Sequence, residues 1–301
     1  MFNLLKSDLY RLFHGKMIYE IIVIMVVCSA LAAWAVWFGT TSTFAEMVES
    51  NAQAAGETQP SVEAAGGGVT VSIDDTMAGN VSVRGVTYAF AQAFITGGFL
   101  SLLAAILTAL FLVSDFDTGF VKNLIGGRRT AYYLERLAMC AILCAIIVVV
   151  GMVATGVAFT VAGFSYREPD TIGSFIGFGA LAWLHAFAYA AATAAVAWAT
   201  RSKAASMVFA CLVSSAIVGS VGAGLAAQFA GTVLPAWVAD AVQWLPCANG
   251  KLFGEGARGL LGMEPGLGGF TMWQHVLIVS GVMAVVCGAI AVVANRRRDI
   301  Q

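Results

Sequence analysis

The sequence predicts an all-α polytopic membrane protein with six transmembrane helices and both termini in the cytoplasm. Three observations predict it. Hydrophobic residues make up 59% and charged residues 11% of the 301-residue chain, against roughly 25% charged in an average soluble domain, and the mean hydropathy is +0.85. Apolar runs of about 20 residues, the length that crosses a bilayer, recur near 17–39, 90–113, 137–164, 172–200, 206–229 and 272–294. The 16 Lys and Arg residues also sort by side. With both termini inside, only Arg84, Arg167, Lys251 and Arg258 fall outside, as the positive-inside rule favours.

The elements follow in chain order. Residues 1–16 place Leu5, Leu9, Leu12 and Phe13 on one helical face, with Lys6, Asp8, Arg11 and His14 on others. This spacing predicts an amphipathic helix lying in the cytoplasmic interface; an ordinary basic flank that sets orientation is the alternative. Ala30-Leu31-Ala32 has the form of a signal-peptidase site, but the apolar run continues through Trp34, Val36, Trp37 and Phe38, so the first run is read as a retained span. Residues 40–89 are acidic and rich in Ala, Gly and Ser, which predicts a flexible external loop with a short strand at 69–73. The third and fourth runs exceed the bilayer, which tilt or extension beyond it accommodates. In the fifth, Gly219, Gly222 and Gly224 with Ser215 and Ser220 suit close helix packing. Residues 230–271 form a second external segment, where Trp237 and Trp244 on one face predict an interfacial helix; a Trp belt that only anchors the loop is the alternative.

Titratable groups are scarce within the runs. His185 alone lies well inside an expected span, with Glu20 and His275 near span ends. A lone histidine is more often packed and hydrogen-bonded than catalytic, because acid–base work needs partners. The same scarcity argues against a proton- or sodium-coupled carrier, which keeps carboxylates at mid-membrane. Gly126-Gly127-Arg128-Arg129-Thr130 and Asn249-Gly250-Lys251-Leu252 both lack phosphate-loop spacing. Five cysteines sit inside apolar runs, and Cys247 stands outside them; neither a disulfide framework nor zinc spacing is encoded. No enzyme activity, cofactor, metal or nucleic-acid partner is expected.

One stretch stands apart. Residues 115–136, DFDTGFVKNLIGGRRTAYYLER, form a basic island between two apolar runs, with Lys122, Arg128, Arg129 and Arg136. Asp117 or Thr118 is placed to cap a short helix through Ile125, Gly126-Gly127 to end it, and a second helix to carry Tyr132 and Tyr133 back to the membrane. A plain connecting loop bearing orienting charges is the alternative.

Gly119, Lys122-Asn123-Leu124-Ile125, Gly127, Arg129, Tyr132-Tyr133 and Arg136 resemble the first cytoplasmic loop of ABC-2 type transporter permeases, in particular the lantibiotic-immunity and bacitracin-export-like branch. The amphipathic start resembles that family's connecting helix, and six spans with both termini inside match its architecture. The resemblance implies one transmembrane domain over 1–301, made of the connecting helix (1–16), external loop (40–89), cytoplasmic coupling loop (114–136) and external segment with an interfacial helix (230–271). It implies a permease in the bacterial plasma membrane, surrounded by lipid. Its partners would be a second permease, as homodimer or heterodimer, and a separate cytosolic ABC ATPase that binds and hydrolyses ATP. Thr118, Gly119, Lys122, Asn123, Gly126, Gly127, Arg128 and Arg129 would couple to that ATPase, and Tyr132 and Tyr133 would anchor the loop at the interface. An amphipathic peptide, antibiotic or lipid-like molecule would be exported. The competing reading is a non-transporting scaffold or sensor that docks a cytosolic partner through the same loop.

Overall fold

The computed structural model describes residues 6, 9, 10, 12–39, 82–117, 129–229, 235, 237–263 and 269–296. The described chain is almost entirely helical, around one long central helix. The helices are α1 (Lys16–Gly39), α2 (Val86–Phe90), α3 (Phe99–Asp117), α4 (Arg129–Val161), α5 (Ile172–Thr200), α6 (Lys203–Ser214), α7 (Ala216–Phe229), α8 (Trp237–Gln243), α9 (Pro246–Phe253), α10 (Gly256–Leu261) and α11 (Met272–Arg296). A two-residue parallel pair joins β1 (Ser82–Val83) to β2 (Ser165–Tyr166).

Among the described residues four helices are long and apolar enough to cross a membrane: α1, α4, α5 and α11. A fifth crossing exists if the bent pair Val86–Ile95 and Phe99–Ser114 counts as one span. Large apolar side chains face outward along these helices, among them Val23, Leu31 and Trp34 of α1 and Val149, Val153 and Val157 of α4. In water such surfaces would drive association; in lipid they are the solvated face.

The centre is α5. Its buried side is mostly alanine, including Ala182, Ala186, Ala190, Ala194 and Ala197, and small side chains let α3, α4, α6 and α11 approach it closely. Thr171 caps its start by accepting from the Ser174 N–H. Arg201 ends it in the left-handed conformation, with φ 53°, and its N–H donates to the Ala197 carbonyl. Ser202 then caps α6, so the chain reverses within two residues. On the outside of the bundle α1 packs on α4, where the Thr155 hydroxyl donates to the Gly151 carbonyl and accepts from Ser29.

Two expected spans are interrupted. The second divides after a π-helical turn, Ala91–Ile95, closed by the Thr96 N–H on the Ala91 carbonyl. The chain then bends by 60° between Ile95 and Phe99. Gly98 takes φ 74° at the bend, a conformation that costs glycine little and other residues much. The fifth divides at Ser215, whose ψ of 110° ends α6 and whose carbonyl accepts from Gly219 at the start of α7. Among its described residues the 230–271 segment holds three short helices, α8, α9 and α10, and Trp244 lies beyond the end of α8, so Trp237 and Trp244 do not share one helix. In the amphipathic start Leu9 and Leu12 pack onto the core while Lys6, Tyr10 and His14 are exposed, as the pattern predicts; Phe13, placed on the apolar face, is exposed too. The expected strand at 69–73 and most of the 40–89 loop lie outside the described residues.

Candidate functional site

Polar and charged groups gather at the two ends of the bundle. One end, here the loop end, is where α3 stops at Asp117 and α4 begins at Arg129. The other, the cap end, is built from residues 82–98, 162–172 and 237–263.

At the loop end, Thr118, Gly119, Lys122, Asn123, Gly126, Gly127 and Arg128 lie outside the described residues. Arg129 is the first residue of α4. Tyr132 and Tyr133 are buried, 5% and 2% exposed, in a cluster with Leu112, Val113, Trp198, Ala291 and Val292. They therefore hold α3, α4, α5 and α11 together. Tyr133 meets Trp198 edge-on with centroids 4.9 Å apart and Tyr132 at 5.5 Å.

Arg136 departs from expectation. As an orienting charge it belongs in water, yet it is 2% exposed. Its guanidinium sits 5.3 Å from the Phe111 ring centroid and 5.2 Å from that of Tyr132, within reach of both π faces. Glu135 beside it is 3% exposed. The reason is helix length: α4 has 33 residues, about 50 Å at 1.5 Å per residue, well beyond the roughly 30 Å hydrocarbon core. Its first two turns pack against α3, α5 and α11 instead of standing free.

At the cap end the key residue is Thr87, 1% exposed. Its N–H donates to Asp170 Oδ2 at 2.9 Å, its hydroxyl donates to Asp170 Oδ1 at 2.8 Å, and that hydroxyl accepts from the Ala257 N–H at 3.0 Å. Asp170 thereby caps α2 from a segment 83 residues away, where a carboxylate suits both the free N–H groups and the helix dipole. Two exposed ion pairs, Arg84–Glu255 and Arg258–Glu168, each at 3.1 Å, tie the start of α10 to the segments before α2 and α5.

Beneath this cap, α9 descends among the spans. Asn249 is 0% exposed and donates from Nδ2 to Ser280 Oγ at 3.2 Å; Ser280 is eight residues into α11, about 12 Å from its start. Phe253, one turn after Asn249, stacks against Phe178 and His185 of α5, with centroids 5.4 Å apart in both cases. Gly250 rests on the broken span: a Cβ there would meet the Ile95 carbonyl at 3.3 Å. The Gln92 side-chain amide donates to the Gly254 carbonyl at 3.0 Å. His275 is buried, its Nε2 donating to the Gln243 carbonyl and its ring 4.4 Å from Trp244.

Sequence reasoning found His185 and His275 as isolated groups. It missed the roles of Thr87, Asp170 and Asn249 and the burial of Arg136, all of which depend on contacts between distant segments.

These elements define the class: a multi-pass helical membrane protein with, among the described residues, four to five helices able to cross a bilayer, α9 packed against a bent helix pair, and an aromatic knot at the opposite end. No protein-family model and no curated protein matches the chain.

Proposed function

We propose that this chain is the permease subunit of an ATP-driven ABC exporter, with six membrane crossings and both termini cytoplasmic. A separate cytosolic ATPase would supply the energy, and a second permease, the same or related, would complete the pathway. The observation that carries this reading is the basic segment between α3 and α4, whose residues resemble the ABC-2 coupling loop and whose base is the buried Arg136–Tyr132–Phe111 stack. A docked ATPase would push on Lys122, Asn123, Arg128 and Arg129, with Thr118, Gly119, Gly126 and Gly127 shaping the turn. The stack would pass that push into α3, whose other end is the bend at Gly98. The sixth crossing would be α6 with α7, a broken span like the second. The moved molecule would be an amphipathic peptide, antibiotic or lipid-like compound, in keeping with spans that offer apolar surface and hydroxyls.

Co-purification tests the docking. An ATPase recovered with the wild type should be lost from the double variant Lys122→Glu, Arg129→Glu; retention would sink the loop assignment. Transport is separated from scaffolding by an ATPase-dead partner, which should abolish efflux. Unchanged efflux or resistance would favour a scaffold that merely holds the partner.

A further inference from the structure

Protein that is not continuous helix is tolerated at membrane depth only where other protein covers it or where it lines a polar space, and paired broken helices mark binding sites in many transporters. Here α9 and the bend before α3 meet, and three hydrogen-bonding atoms around α9 have no partner among the described residues. Asn249 Oδ1 is left over while its Nδ2 donates to Ser280 Oγ. His185 Nδ1 is left over on a residue 3% exposed. Gln92 Oε1 is left over, and its orientation is fixed, since the Gly254 carbonyl can only accept. Buried polar atoms without partners are rare enough to require an occupant or a purpose.

We infer that Asn249 and His185, with Gln92 at the rim, form a binding site for the hydrogen-bond-donating head of an uncharged amphiphile, closed in this conformation by α9. Asn249 and Phe253 share one stripe of α9, with Phe253 packed on His185, so both leftover atoms belong to the side of α9 that faces α5 and α11. Gln92 meets the neighbouring stripe, that of Gly250 and Gly254. The Asn249 and Gln92 oxygens only accept, and His185 Nδ1 accepts in the tautomer protonated at Nε2, so together they call for N–H or O–H donors and repel anions. None of these side chains is a carboxylate, so a cation would be buried without a counter-charge, which is strongly unfavourable. The aromatic rings of Phe253, Phe178 and Tyr189 supply an apolar wall for the rest of such a molecule. A primary amide or a hydroxyl on an apolar chain meets all these conditions. That this molecule is the exported one rests on the export reading; the binding itself does not.

The test uses the purified full chain in lipid nanodiscs and four probes of equal chain length: decanamide, N,N-dimethyldecanamide, decanoate and decyltrimethylammonium. Decanamide should raise the unfolding temperature and protect α9 amides from hydrogen exchange, while the other three do neither. Asn249→Leu and His185→Leu remove acceptors without opening a large cavity, and each should weaken decanamide binding by about tenfold or more. Equal stabilisation by the dimethyl compound, or wild-type affinity in both variants, overturns the site. Should either variant fail to fold, exchange protection in the wild type decides alone: no difference at α9 between decanamide and its dimethyl analogue overturns it. No ATPase enters this assay. A missing ATPase partner would therefore sink the export reading and leave the site, whereas indifference to Asn249 and His185 would sink the site and leave the reading.

Discussion

The two ends of the bundle are built by different means. At the loop end four long helices converge and are locked by large side chains: Tyr132, Tyr133, Trp198 and the stacked Arg136. At the cap end short elements from three distant stretches bury Phe90, Phe94, Phe253 and Leu260 beneath them, but their polar surface is joined by the hydrogen bonds of Thr87 and by exposed ion pairs. Aromatic packing gains from buried area and resists local opening. Isolated polar contacts near water contribute far less each. Local opening is therefore expected first at the polar surface of the cap and last in the aromatic cluster of the loop end.

Four substitutions break or sharpen that contrast. The largest effect belongs to Arg136→Ala, which removes the guanidinium between Phe111 and Tyr132 and leaves a cavity among four helices. A loss of about 2–4 kcal/mol should appear in denaturant unfolding in detergent, with faster amide exchange at the start of α4 and little change in α10. Gly250→Val comes next. Its added atoms meet the Ile95 carbonyl and must lift α9 from the broken span, an overpacking cost of roughly 1–3 kcal/mol, with accelerated exchange confined to α9 and α2.

Thr87→Val keeps shape and deletes the hydroxyl that joins Asp170 to Ala257. About 1–2 kcal/mol should be lost, and the cap should exchange faster while Tyr133 and Trp198 keep their fluorescence environment. Smallest is Glu255→Gln, which breaks the ion pair with Arg84. Its effect should stay below about 1 kcal/mol and vanish near 1 M salt, where the Debye length falls to about 3 Å. If Glu255→Gln proved as costly as Arg136→Ala, the contrast between the ends would be wrong.

The long spans α1, α4, α5 and α11 are legible in the sequence because each is an apolar run longer than a bilayer requires. The interruptions were harder to read. Thr96-Gly97-Gly98 and Ser214-Ser215 carry breaker residues, but glycine and serine are common inside membrane helices, where they also serve packing. Composition alone does not choose between those uses. Arg136 misled for a physical reason: counting charges by side treats every arginine as solvated, whereas a guanidinium stacked on aromatic rings is held inside. Asp170 carries no motif in the sequence that marks it as a cap. Its bonds to Thr87 depend on the pairing of β1 with β2, and two residues of strand leave no periodicity to detect.

The π-helical turn at Ala91–Ile95 has a consequence for how such a protein can change. Its hydrogen bond spans five residues instead of four, so it holds one residue more than an α-helix would at that place. Losing that residue would rotate everything before it by about 100° relative to α3. Thr87 would swing away from Asp170 and Gln92 from Gly254, while every long span kept its sequence. A single codon gained or lost there is thus a route to a differently shaped cap end on an unchanged frame.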